Sequence, residues 1–178
     1  MEPTIVERDK ITLVGFSFFG DPFAESGGWI DENEIGRLWN RFLAYLADHR
    51  ARIKHVKDDA VAYEVHVETK ETASKGYREV FVGTEVEKLE DVPVEMLVKI
   101  LPAALYAVFT LKGEQIVADW SMMIQEWMVG AGYESAYTYG FQLYDERFKG
   151  LDNLAESVLA VYVPVKSSGD VSSPDGDM

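Results

Sequence analysis

Apolar and polar residues alternate along AVAYEVHVE (60–68). Val61, Tyr63, Val65 and Val67 fall on one side, and Ala62, Glu64, His66 and Glu68 on the other. A period of two marks a half-buried strand. TYGFQLYDE (138–146) reads the same way, with Phe141 and Leu143 on one face and Gln142 and Tyr144 on the other. ITLVGFSFFG (11–20), YREVFVGTEVE (77–87) and SVLAVYVPVK (157–166) predict further strands, and LVKILPAALYAVFTLKG (97–113) an extended region interrupted at Pro102. Gly83 inside a strand points to a bulge or a close approach. In two places the period changes. Ile35, Leu38, Trp39, Phe42, Leu43 and Leu46 recur as one face of a helix over 33–49, with Asn33 or Asp31 to cap it. Ile116, Trp120, Met123, Ile124, Trp127 and Met128 do so over 114–129, and the glycines of VGAGYES end that helix. DPFAESGGWIDEN (21–33) reads as loop and ETASKG as a turn. Residues 1–9 read as polar and loosely held, and SSGDVSSPDGDM (167–178) as a disordered acidic tail.

In order, these elements run strand, helix, strand, strand, and then the same again. ITLVGFSFFG aligns with ALYAVFTLKG, YEVHVE with FQLYDE, and VFVGTEV more loosely with VLAVYVPV. The expectation is one α+β domain over 1–166, internally duplicated as about 8–87 and 97–166. Two such units most simply pair into an antiparallel sheet with both helices packed on one side. A central cleft then lies between the pseudo-symmetric halves, a common place for ligands.

Composition narrows the function. Apolar residues form 47% of the 178-residue chain, which suits a globular domain. The absence of cysteine removes disulfides and thiol nucleophiles. Neither a signal-peptide pattern nor a long apolar run is present, so a cytoplasmic protein without a membrane partner is expected. A net charge of −14 repels phosphate backbones, so direct nucleic-acid binding is not expected. The same acidity attracts cations, although it also serves solubility alone. His49, His55 and His66 show no metal-ligand spacing, and no cofactor motif is present.

The stretch GYESAYTYGFQLYDERF (132–148) holds six aromatic rings, four of them phenols. Buried phenols need hydrogen-bond partners, which suits a binding wall better than a plain core. Gln142 and Tyr144 are therefore candidates for a pocket, a solvated outer face being the alternative. Phe141 and Leu143 are assigned to the helix-packed core. Trp39 and Trp127 occupy similar places on the two helices and belong either to the core or to the pocket edge. Glu64 is the counterpart of Gln142, with Tyr63 beside it. Glu64 or Glu85 offers a pocket charge, unless each lies on a solvated strand face. Tyr106 lies in or near the pocket.

LPAALYAVFTLKG, MIQEWMVGAGYES, FQLYDERF and AVYVPVK, in this order and spacing, together with IGRLWNRF and YREVFVGTEVE, resemble the GyrI-like small-molecule-binding domain. This is the effector-binding domain of AraC- and MerR-type multidrug regulators. The resemblance spans about residues 8–166. It implies pseudo-twofold strand-helix-strand-strand units and an aromatic pocket for hydrophobic, often cationic and planar molecules. Here it implies a stand-alone domain without a helix-turn-helix. The family's usual E-x-Y is Gln142-Leu143-Tyr144 in this chain. A neutral amide is neither a general base nor a counter-ion. Two other readings follow from the resemblance. One is a hydrolase of cyclopropane-type toxins using Tyr144 with Glu64 or Glu85. The other is a protein that contacts gyrase or a regulator.

Overall fold

A computed structural model describes residues 2–25 and 32–169. Asp31 and residues 170–178 of the tail expected to be disordered over 167–178 lie outside the described residues, while Ser167 is ordered in a strand and paired with Tyr133. The strands are β1 (Thr4–Arg8), β2 (Ile11–Gly20), β3 (Ala62–Glu68), β4 (Arg78–Glu85), β5 (Leu97–Leu101), β6 (Ala104–Lys112), β7 (Tyr133–Ser135), β8 (Tyr139–Tyr144) and β9 (Val158–Ser167). The helices are α1 (Glu34–His49), a single turn α2 (Thr72–Lys75) and α3 (Ser121–Ala131). The strands form one antiparallel sheet in the order β1-β6-β9-β8-β3-β4-β2-β5, with β7 alongside β9.

That order is symmetric about the β8–β3 seam. Strands β2, β3 and β4 with α1 mirror β6, β8 and β9 with α3, as the two-unit α+β reading expects. Edge strand β5 flanks β2, and edge strand β1 flanks β6. Residues 4–8 are therefore not loosely held, as their polarity suggested. β1 pairs with β6 along five residues, from Thr4↔Val108 to Arg8↔Ala104. Backbone pairing forms an edge strand even where little side-chain area is buried.

Two short links force the sheet to curl. Arg8 in β1 lies three residues before Ile11 in β2, so their Cα atoms are at most about 11 Å apart. Across a flat sheet, the six intervening strand spacings would separate them by about 29 Å. Leu101 and Ala104 impose the same closure from β5 to β6. The inner face of the curl carries Ile11, Leu13, Tyr63, Val65, Phe81, Leu101, Tyr106 and Phe141, packed as one buried cluster with no helix in it. Phe141 and Tyr162 stack there at 4.5 Å.

The outer face carries the helices. Leu38 and Phe42 of α1 pack on Val14, Phe16, Val80 and Val82. Ile124 and Met128 of α3 pack on Phe109, Leu111, Leu159 and Val161. The assignment of Phe141 and Leu143 to a helix-packed core is thus corrected: they belong to the helix-free inner face. The Asn33 side chain accepts from the Gly36 amide at 2.9 Å and caps α1. The second helix starts at Ser121 and not near 114. Gly113–Gln115 is a 3-10 turn, and the Asp119 carboxylate accepts from the Ser121 amide at 3.1 Å. Such a local Asp contact competes with helical hydrogen bonding. Gly132, at φ 74°, ends α3. Among the described residues no helix is long and apolar enough to cross a membrane.

Gly15 and Gly83 face each other across β2 and β4. A Cβ on Gly15 would lie 2.0 Å from the Val82 carbonyl oxygen, and one on Gly83 2.4 Å from that of Val14. The close approach read from Gly83 is present. Either residue changed to Ala is expected to lower unfolding free energy by about 1–3 kcal/mol or more, measured by urea denaturation.

Burial raises the hydroxyl pKa of Tyr63, Tyr106 and Tyr139 above the ordinary phenol range. The Tyr63–Glu85 bond raises Tyr63 further, and the Tyr106 bond raises Tyr139 further. A raised folded-state pKa contributes stability below the unfolded value, and that stability is lost as pH rises through it. Absorbance at 295 nm should show these phenols ionising together with loss of the fold, above about pH 10.

Candidate functional site

The β3–β8 register places Glu64 directly opposite Gln142. The two strands carry matching patterns, Tyr63-Glu64-Val65-His66 and Phe141-Gln142-Leu143-Tyr144. Each central residue therefore pairs with its own counterpart, and the pseudo-twofold axis passes between them. One step out on the same face, His66 lies opposite Gly140 and Tyr144 opposite Ala62. Each long side chain faces a small one, which leaves room above the axis.

The hydrogen bonds repeat the symmetry. His66 Nε2 lies 2.6 Å from Glu64 Oε1, two residues back on its strand. The Tyr144 hydroxyl donates to Gln142 Oε1 at 2.7 Å, again two residues back. One half thus carries a charged acceptor and the other a neutral one. The Tyr144 hydroxyl also stands 3.4 Å from Glu64 Oε2. From above, the Trp39 indole donates Nε1–H to the same oxygen at 2.5 Å. Glu64 is only 3% exposed. Burying a carboxylate is costly, and these donors offset the penalty. Burial first, then the Glu64 charge, pushes the Tyr144 pKa well above its usual value, so its hydroxyl remains a donor. Trp39 sits edge-on to the Tyr144 ring at 4.7 Å, and Phe148 at 4.9 Å.

A cleft of about 1340 Å³ opens over this floor. Trp39 stands on the α1 side and Trp120 at the start of α3, with Tyr137 and Phe148 also lining it. Flat rings around a buried carboxylate suit an apolar molecule with a delocalised positive charge.

Of the residues singled out from sequence, the fold brings Trp39, Glu64, Gln142 and Tyr144 together on the outer face. Four others are corrected. Tyr63 and Tyr106 point to the inner face, where they are buried. Neighbours on a strand point to opposite sides, so Tyr63 leaves the face that Glu64 occupies. Glu85 lies with Tyr63, accepting its hydroxyl at 2.6 Å and Lys57 Nζ at 3.0 Å. Trp127 is turned away from the cleft, stacked on Tyr133 at 5.5 Å and edge-on to Phe109. Matching the buried pair Ile124/Met128 to Leu38/Phe42 explains why. Gln125 then takes the place of Trp39, and Trp127 that of Arg41, whose guanidinium covers Phe16. Sequence reasoning passed over Trp120, read only as part of a helix stripe, and His66 as site residues. For His66, the spacing from Glu64, equal to that of Tyr144 from Gln142, was the available signal. His55 bonds Glu90 and His49 packs on Tyr45, both away from His66. Among the described residues no group of three or more His, Cys, Asp or Glu side chains is placed to hold a metal ion.

Two pseudo-symmetric sheet-and-helix units around an axial cleft define a GyrI-like effector-binding domain. The chain belongs to the integron-associated effector-binding protein family (Cass2), whose sequence profile matches residues 4–165. It is 31% identical over 168 residues to the transcriptional regulator BrlR of Pseudomonas aeruginosa, covering 93% of this chain and 56% of that regulator's length. Among solved structures, it resembles SAV2435 bound to tetraphenylphosphonium, with a TM-score of 0.65 and 16% identity over 93% of this chain and 94% of that one. The EcmrR C-terminal domain is similar at a TM-score of 0.63 and 13% identity, covering 93% and 98% of the two chains.

A carboxylate at 142 would lie beside Glu64 and would not fill a gap. Gln142→Glu is expected to hold a proton in the folded state because two like charges resist sharing the axis. Its destabilisation should be small near pH 4 and grow to about 1–3 kcal/mol by pH 7.5, read as unfolding free energy against the parent chain.

Proposed function

We propose that this chain binds hydrophobic organic cations in the axial cleft, as the ligand-receiving domain of an effector response. The carrying observation is Glu64, a carboxylate buried on the axis beneath Trp39 and beside Tyr144. It supplies the negative charge that Gln142 lacks. The tetraphenylphosphonium held by SAV2435 supports the ligand class, and the match to BrlR supports a link to effector sensing. The aromatic walls contribute stacking and cation–π attraction of about 0.5–2 kcal/mol per ring. The net charge of −14 argues against nucleic acid as the direct partner.

The test is a tryptophan-fluorescence titration with tetraphenylphosphonium and with neutral N-phenyl-1-naphthylamine. Glu64→Gln keeps the shape and removes the charge. It is expected to weaken the cation by about ten- to a hundredfold, or about 1.4–2.8 kcal/mol, and the neutral probe by much less. Equal weakening of both probes would show that charge recognition lies elsewhere.

A further inference from the structure

Glu64 already has a cation-forming neighbour. His66 Nε2 occupies Oε1 at 2.6 Å, while Trp39 and Tyr144 stand at Oε2. The carboxylate is almost fully buried, and the imidazole is 21% exposed toward the cleft. A neutral imidazole donating Nε2–H leaves the floor with one net negative charge. An imidazolium in the same place cancels it. Histidine side chains change charge between about pH 5 and 8. The pseudo-symmetric Tyr144, by contrast, stays a neutral donor, held there by burial.

We propose that His66 sets the ligand charge the cleft accepts, so that a bound organic cation and a proton on His66 exclude one another. The inference rests on the cleft being the cation site. Two like charges on one buried carboxylate repel strongly in a partly desolvated space. Binding of a permanent cation therefore releases the His66 proton to solvent, and a neutral ligand has no such demand.

The other groups around the imidazole do not duplicate this role. On its own strand lie Glu64 and Glu68, and β4 places Val80 opposite it and Arg78 one pair further along. β8 presents Gly140, Gln142 and Tyr144. α1 presents Trp39 and Asn40, neither of them ionisable, and the segment before α3 contributes Asp119 to the cleft wall. Arg78 is a fixed charge, and Asp119 is held below the usual carboxylate range by its bonds to Ser121. Neither changes charge across the histidine window. Glu64 and Glu68 are present in both the parent chain and His66→Gln, so a difference between the two pH profiles belongs to His66.

The test uses tetraphenylphosphonium, which cannot titrate, and neutral N-phenyl-1-naphthylamine, on the full chain between pH 5.5 and 8. Tetraphenylphosphonium affinity is expected to rise about tenfold across that range, while the neutral probe stays level. His66→Gln keeps a donor toward Glu64. It should flatten the cation profile between pH 5.5 and 8. Calorimetry of the unmutated chain near pH 6, in phosphate and in Bis-Tris, should show proton release on binding tetraphenylphosphonium and none with the neutral probe. A level cation profile in the parent chain, no proton release, or an unchanged slope in His66→Gln would each overturn the role of His66 while leaving the cleft as the cation site. Failure of both probes to bind at any pH would overturn both readings.

Discussion

The pairing of β3 with β8 holds the molecule together. It is the seam between two units that each possess a helix, a sheet half and an apolar cluster of their own. Its register decides everything on the axis. A slip of one residue would turn Glu64, His66, Gln142 and Tyr144 inward and push Tyr63 and Phe141 out toward the helices. The stack of Phe141 on Tyr162 beneath the seam resists such a slip. So does the buried Tyr63–Glu85 hydrogen bond. The position of the carboxylate is thus fixed by apolar contacts on the opposite face of the same strands.

Symmetry in the backbone and asymmetry in the side chains divide the work. The paired strands create two equivalent niches, each an acceptor followed two residues later by a donor. Filling one with Glu and His and the other with Gln and Tyr gives a single negative charge on the axis. Two carboxylates there would repel each other, and two amides would offer nothing to a cation. The small residues Gly140 and Ala62 opposite the long side chains keep the space above the axis open.

Much of this was legible in the chain. The alignment of YEVHVE with FQLYDE made Glu64 the counterpart of Gln142, and period-two alternation put Gln142 and Tyr144 on a shared face. The stripe of Leu38, Trp39 and Phe42 gave α1. Alternation does not say which face receives the helices when both faces are apolar or aromatic, so Phe141 was placed on the wrong side. Tyr63, Tyr106 and Glu85 look like pocket residues because phenols and carboxylates are rarely structural. Here they satisfy one another inside the curl. β1 escaped notice because its stability lies in backbone pairing, which leaves no hydrophobic pattern. Trp127 misled because a tryptophan on an apolar stripe fits the position of Trp39 and that of Arg41 equally well in sequence.

The edge strand β1 has a consequence for how the chain is made. It emerges before β2, β3, β4 and β5, yet its partner β6 spans Ala104–Lys112. During synthesis β1 waits unpaired for the passage of most of another hundred residues. At ordinary elongation rates that is about 5–20 s. Throughout that interval Thr4–Arg8 is an open strand. Its polar residues, Thr4, Glu7 and Arg8, suit a segment that must stay in water before it docks. The polarity that disguised β1 as a loose terminus is then what keeps the nascent chain from pairing with the wrong edge.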